Sequence, residues 1–148
     1  MISHNVAASV RARLLNHARA SRQDFNFVLT RYAIERLLYR ISISKHAHQF
    51  VLKGALLFDL WFDIPHRLTR DADFLGFGSS DLLHMEGTFR EICLVEVPDG
   101  MAFQSSTVHA MEIRKDAYFL LPHCGVRLSR PFPIWPNKNS HQLDFGHL

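Results

Sequence analysis

The sequence has little cysteine and no long apolar run, and both shortages narrow the class of protein. It contains two cysteines, Cys93 and Cys124, in 148 residues, without the CxxC spacing of a redox or zinc motif. Small secreted proteins usually carry a dense disulfide framework, so this usage predicts two reduced thiols. The longest apolar runs fall short of the roughly 18 residues that a membrane-spanning helix needs. The arginines near the N-terminus are not followed by the apolar segment of a signal peptide. We therefore expect a cytoplasmic protein without a membrane partner.

Apolar residues are present in sufficient number for a buried core. They make up 47% of the chain, which suits one domain of this length. In the first part of the chain they recur at spacings of three and four residues, as in an amphipathic helix. This spacing predicts one helix around Ala7 to Ala18 and a second over residues 24–42. We expect Ser21 and Asp24 to begin the second helix as a capping box.

Strand patterns begin after the second predicted helix. "HQFVLKG" predicts a short strand that runs into Gly54, "ALLFDLWF" a short helix, and "RDADFLGFG" a second strand. "DLLHMEGTFREICL" predicts a third long helix, and residues 101–120 two strands or a hairpin. "GVRLSR" and "HQLDFG" predict further short strands.

The order of these elements predicts a single α+β domain over residues 1–148. Its helical N-terminal part covers residues 1–45, and its sheet-containing core covers residues 46–148. We expect the strands that contain Val51 and Asp73 to be neighbours in one mixed sheet. The helices of the N-terminal part should then pack on one side of that sheet.

Positive charge is concentrated in the predicted N-terminal helices, although the formal net charge is only +3. Residues 1–40 contain two acids, Asp24 and Glu35. The seven arginines of the same segment are Arg11, Arg13, Arg19, Arg22, Arg31, Arg36 and Arg40. Arginines on the outer faces of helices attract nucleic-acid phosphates independently of base sequence. The alternative is an ordinary solvated face.

Two acids stand one residue apart inside the second predicted strand. Asp71 and Asp73 fall on the same face, because side chains alternate along a strand. Two carboxylates on one face repel each other, and a charge is costly to bury unless it is paired or binds a metal. The candidates that could neutralise the two acids are basic neighbours, protons or a divalent cation. The alternative to a metal site is a surface acidic pair that forms salt bridges to Arg67 and Arg70.

The first predicted strand ends in Lys53 and Gly54, directly before a predicted helix. Backbone N–H groups at a helix start can hold a phosphate, and Lys53 adds positive charge, although it could also be an ordinary surface lysine. Magnesium is commonly held by one or two carboxylates together with substrate phosphates. A phosphate cradle facing two carboxylates therefore predicts phosphoryl or nucleotidyl transfer.

Four segments resemble a known protein family. They are "ASVRARLLNHARASRQDFNFVLTRYAIERLLYRIS", "FVLKGALLFDLWF", "HRLTRDADFLGFG" and "GVRL", and they cover nearly the whole chain in order. They are similar to the abortive-infection type E toxins (AbiEii/AbiGii), a branch of the nucleotidyltransferase superfamily. The resemblance implies a core like that of DNA polymerase beta and a role in toxin–antitoxin systems and phage defence. It also implies Mg²⁺-dependent transfer of a nucleotide from an NTP to an RNA (tRNA-like) or protein acceptor, with a cognate antitoxin as partner.

The resemblance carries over a set of site residues. The family's D-x-D pair and a carboxylate on a later strand bind the catalytic metal, which implies catalytic and metal-binding roles for Asp71, Asp73 and Asp144. The residues implied at the nucleotide are Lys53, Gly54, Ala55, Thr69 and Arg127.

The chain departs from the family pattern in three places. Ala55 stands where many relatives have a second glycine or a serine. "HQLDFGHL" is one residue shorter than the family's Q-[IL]-D-[IV]-G-F-G-D-like string and has His147 where an acid is usual. The family also continues into a helical region after this strand, so we expect a C-terminally truncated member. The alternative to an enzyme is a non-catalytic remnant that binds nucleic acid or an antitoxin.

Overall fold

Three long helices and five strands make up most of the described part of the protein. The computed structural model describes residues 4–57, 71–110, 124–129 and 133–134. The helices are α1 (His4–Ser21), α2 (Phe25–Ile43) and α3 (Leu82–Cys93). The strands are β1 (Phe50–Lys53), β2 (Asp71–Gly76), β3 (Ala102–Phe103), β4 (Cys124–Ser129) and β5 (Pro133–Ile134). Short 3₁₀ helices cover Ala47–Gln49 and Ser105–Thr107. The expected α+β class is confirmed.

The first two helices lie where the apolar spacing predicts them, but α2 begins differently. Asp24 is its N-cap and accepts a hydrogen bond from the backbone N–H of Phe27 at 2.9 Å. Ser21 is instead the last residue of α1, and its hydroxyl donates to the carbonyl oxygen of His17. The chain leaves α1 through Arg22, which has φ 55°. Asp24 has the extended backbone of an N-cap, whereas Ser21 ends α1 and does not begin α2, so the expected capping box is wrong.

β1 and β2 are antiparallel neighbours in a three-stranded sheet of order β1-β2-β4. Val51 is opposite Leu75, and Lys53 is opposite Asp73. On the other side of β2, Asp73 is opposite Arg127 of β4. The expected adjacency of the two predicted strands is confirmed. The sequence predicts a mixed sheet, whereas each pairing that the structure describes is antiparallel.

The core lies between one face of this sheet and the helices α2 and α3. Phe50 packs edge-on against Phe74, with ring centroids 6.1 Å apart, and against Phe89 at 5.1 Å. The other buried members of this cluster are Ala33, Ile34, Leu37, Ile41, Leu56, Ala72, Ile92, Met101 and Phe103. The helix α2 therefore covers one side of the sheet, as expected, and Asp73, whose neighbours Ala72 and Phe74 belong to the core, falls on the opposite face.

Arg40 is buried, although the sequence predicts that the arginines of residues 1–40 lie on outer faces. Its side chain is 1% exposed, and its guanidinium donates to both carboxylate oxygens of Asp99 at 2.8 and 3.1 Å. It also donates to the carbonyl oxygens of Val95 and Met101. The guanidinium lies 4.9 Å from the ring centroid of Phe103. The expectation is wrong for this residue because the loop after α3 supplies a counterion and carbonyl acceptors inside the protein.

The described residues 101–110 contain less strand than the sequence predicts for this segment. Within residues 101–110 the two-residue strand β3 is followed by a 3₁₀ helix, and residues 111–120 lie outside the described part. The strand expected in "HQLDFG" also lies outside it, as does most of the helix expected in "ALLFDLWF". Among the described residues, every helix is too short or too polar to cross a lipid bilayer.

Candidate functional site

The chain leaves β1 through a left-handed turn at Gly54. Its φ is +82°, a conformation that costs a residue with a Cβ about 1–2 kcal/mol. Residues 55–57 are helical, and the N–H of Leu57 donates to the carbonyl oxygen of Gly54 at 3.1 Å. Ala55, one of the residues implied at the nucleotide, is the first of this helical segment. The strand thus ends in a glycine turn and a helix start, as the sequence predicts.

The carboxylate of Asp73 lies against this turn. A Cβ built on Gly54 would stand 3.0 Å from Asp73 Oδ2 and 3.4 Å from Asp73 Cβ. Glycine is therefore favoured at this position for two reasons, its backbone conformation and the space that the carboxylate occupies. Asp73 itself is partly buried. The structure brings together the acidic strand and the lysine–glycine turn, which the sequence identifies as separate motifs.

The register places three charged residues in one row across the sheet. Lys53 is opposite Asp73, and Asp73 is opposite Arg127. Asp71 stands two residues before Asp73 on β2, at a position of the same face, and is opposite Ser129. The row alternates positive, negative and positive residues, an arrangement that favours cross-strand attraction. We call Lys53, Asp73 and Arg127 the charged row.

Two residues that the resemblance implies at the site lie outside the described residues. They are Asp144, implied at the metal, and Thr69, implied at the nucleotide. Among the residues that are described, three or more His, Cys, Asp or Glu side chains do not gather into a metal-binding group. The donor type at the charged row, a carboxylate next to a lysine and a glycine turn, fits a hard cation shared with phosphates. It does not fit the Cys and His set of a structural zinc site.

A second, apolar feature lies on the same face, and sequence reasoning missed it. Val51 is 52% exposed, and it is opposite Leu75, which is opposite Gly125 on β4. Phe77 is 43% exposed, and its N–H donates to the carbonyl oxygen of Gln49 at 2.8 Å, which extends the ladder beyond β2. Strand alternation from Asp73 was the available signal, since it places residues 75 and 77 on one face. We call Val51, Leu75 and Phe77 the apolar step.

The surface of α1 carries positive charge without acidic residues. Its 18 residues contain no Asp or Glu, and Arg11, Arg13 and Arg19 are exposed, as is Arg22 after the helix. The guanidinium of Arg11 lies 5.4 Å from the ring centroid of Phe25, a stacking arrangement that leaves the charge at the surface.

A comparison with known families identifies the family of the chain. A family model described as "Nucleotidyl transferase AbiEii toxin, Type IV TA system" matches residues 36–132, more than half of the chain. The matched segment runs from within α2 to beyond β4 and includes the whole charged row. No curated protein matches the chain, and no solved structure does. The chain belongs to the AbiEii nucleotidyl transferase toxin family.

Proposed function

We propose that this protein is a metal-dependent nucleotidyltransferase toxin that transfers a nucleotide from an NTP to an RNA (tRNA-like) or protein acceptor. The observation that carries the proposal is the carboxylate of Asp73 packed against the Gly54 turn, with Lys53 opposite it. A carboxylate and a phosphate-binding turn in contact are the minimum arrangement for holding a triphosphate and a cation together. The family membership supports the same reaction class.

The reaction assigns distinct tasks to the residues of the site. The acceptor forms a new bond to the α-phosphorus, the bond from that phosphorus to pyrophosphate breaks, and the proton of the acceptor passes to solvent. Lys53 and the backbone N–H groups after Gly54 hold the triphosphate and balance the charge on the leaving pyrophosphate. Asp71 and Asp73, with Asp144 as a third carboxylate, are the proposed holders of Mg²⁺. When bound, the cation neutralises phosphate charge and orients the attacking and leaving oxygens. Thr69 and Arg127 complete the proposed contacts with the nucleotide.

The proposal places the protein in the cytoplasm, with a cognate antitoxin as partner and phage defence as its biological setting. The toxin–antitoxin description of the matched family supports an antitoxin partner.

The test is label transfer from each of the four NTPs to bulk tRNA in the presence of magnesium. We expect Asp71→Ala and Asp73→Ala to reduce transfer by about a hundredfold or more, because each removes a preorganised electrostatic contact of the reaction. Glu96→Gln is the matched control, since it removes an exposed carboxylate outside the sheet, and it should leave transfer unchanged. Transfer that survives both aspartate substitutions would refute the assigned site.

A second candidate function is a non-catalytic module that binds nucleic acid or an antitoxin. The acid-free surface of α1, with its exposed arginines, favours it. Titration calorimetry with magnesium and each NTP separates the two functions, because a module of this kind needs no nucleotide. Nucleotide binding that depends on Asp73 supports the enzyme. No transfer and no nucleotide binding by a folded chain would support the module.

A further inference from the structure

We infer that the apolar step, formed by Val51, Leu75 and Phe77, receives the base of the bound nucleotide. This inference rests on the proposed function and names the part of the site that holds the nucleoside. It follows from the position, exposure and chemistry of the step relative to the charged row.

The position of the step follows from the strand register. Val51 and Leu75 are opposite each other, two residues from the paired Lys53 and Asp73 on the same face. Two residues along a strand correspond to about 6.6 Å. Phe77 directly follows β2, a further two residues along the chain in the same direction. A nucleotide whose phosphates lie at the Gly54 end of β1 can therefore extend its sugar and base along the strands, over the step.

Two side chains of the step expose a large part of their apolar surface. Val51 is 52% exposed and Phe77 is 43% exposed, although both residue types are usually buried. Other large apolar residues with a comparable or higher exposed fraction, such as Leu83, Leu94 and Ile43, belong to the helices or their ends. The step is thus the exposed apolar surface that adjoins the charged row within the described part of the sheet.

The chemistry of the step suits a flat ring. Base–aromatic stacking tolerates all four bases, because every base presents a π-face. Neither Val51, Leu75 nor Phe77 offers a side-chain hydrogen-bonding group that could read a base edge. Gly125, opposite Leu75, adds no side chain to the surface. We therefore expect the step to add affinity for nucleotides over inorganic triphosphate, with little discrimination between ATP, GTP, CTP and UTP at these residues.

The experiment compares two probes by titration calorimetry on the full chain, each with magnesium: ATP and inorganic tripolyphosphate. Phe77→Ala should weaken ATP binding by about five- to a hundredfold, the range for loss of a base–aromatic stack, and leave tripolyphosphate binding unchanged. Phe77→Leu keeps apolar area without a ring and should fall between the native chain and Phe77→Ala. Leu94→Ala is the matched control, an exposed apolar residue at the end of α3, and should change neither affinity. Circular dichroism shows that each variant is folded.

The outcomes separate this inference from the proposed function. If the native chain binds tripolyphosphate and ATP, and Phe77→Ala changes ATP affinity by less than twofold, the inference is overturned while the proposed site stands. If Phe77→Ala weakens the binding of ATP and of tripolyphosphate equally, Phe77 maintains the shape of the site and does not hold a base. This result also overturns the inference. If the folded native chain binds neither probe, the proposed function fails and the inference fails with it.

Discussion

Breaking the ion pair between Arg40 and Asp99 should destabilise the protein, and the burial of the pair determines how large the loss of unfolding free energy is. The two side chains are 1% and 7% exposed, and they share two hydrogen bonds. Replacing Asp99 by alanine would leave the guanidinium of Arg40 inside the protein without its counterion. Breaking a buried pair in this way costs about 3–5 kcal/mol of unfolding free energy. For a chain of this length we expect roughly 2–4 °C of melting temperature per kcal/mol, and so a decrease of about 6–20 °C.

The same helix offers a matched control for this prediction. Arg31 and Glu35 form a pair at 3.0 Å on α2, with side chains 21% and 39% exposed. Because water screens this pair, Glu35→Ala should cost only about 0.3–0.5 kcal/mol. Both substitutions remove one carboxylate that pairs with an arginine of α2. The difference between the two losses of unfolding free energy therefore measures the effect of burial.

Urea denaturation monitored by circular dichroism measures both losses. It also measures the single variants Arg40→Met and Asp99→Leu and the double variant Arg40→Met/Asp99→Leu, which together form a double-mutant cycle. Removing both buried charges should cost less than the sum of the two single substitutions, because no uncompensated charge remains. An Asp99→Ala loss no larger than that of Glu35→Ala would refute the reasoning. So would losses that add without coupling in the double variant.

Two further predictions concern the Gly54 turn and the surface of α3. Gly54→Ala should lower the unfolding free energy by more than Gly78→Ala does. Both glycines have positive φ, but of these two only a Cβ at Gly54 would meet a neighbouring atom, Asp73 Oδ2 at 3.0 Å. Equal losses of unfolding free energy in urea denaturation would contradict a close contact between the new Cβ and Asp73. The ammonium of Lys45, helped by a neighbouring histidine, lowers the pKa of the Glu91 carboxyl to about 2. Because the folded pKa is depressed, the stabilisation from this pair is present above the ordinary pKa near 4.5 and is lost as the pH falls toward 2. An NMR titration of Glu91 should show the low value in the native chain and a return toward the ordinary value in Lys45→Met; a native value that is already ordinary would contradict it.

Local patterns in the sequence were sufficient to predict the helices and strands that position the site. Helical spacing located α1, α2 and α3, and alternation located β1 and β2. These signals are local, because each depends on residues within a turn of helix or along one strand. The contact between Asp73 and Gly54 could be anticipated from the same signals, since a strand, a short connection and a second strand usually pair as neighbours.

The Arg40–Asp99 pair could not be predicted in this way. Its partners are 59 residues apart, and an arginine at the end of an amphipathic helix is usually exposed. What buries Arg40 is the loop after α3, whose carbonyl groups and carboxylate converge on the guanidinium. Nothing in the residues around Arg40 signals such a partner, because the interaction depends on packing between distant segments.

The charged row depends on register in a way that no single motif reveals. Lys53, Asp73 and Arg127 come from three strands, and they share a face only because β1 and β4 both pair with β2 in the observed register. A slip of β4 by one residue would move Arg127 to the core face, because side chains alternate with a period of two. Val51 gains its place beside the row by the same pairing, although its residue type alone predicts burial. The functional proposals for Arg127 and for the apolar step therefore depend on the sheet register, whereas the proposal for Asp73 also rests on its contact with Gly54.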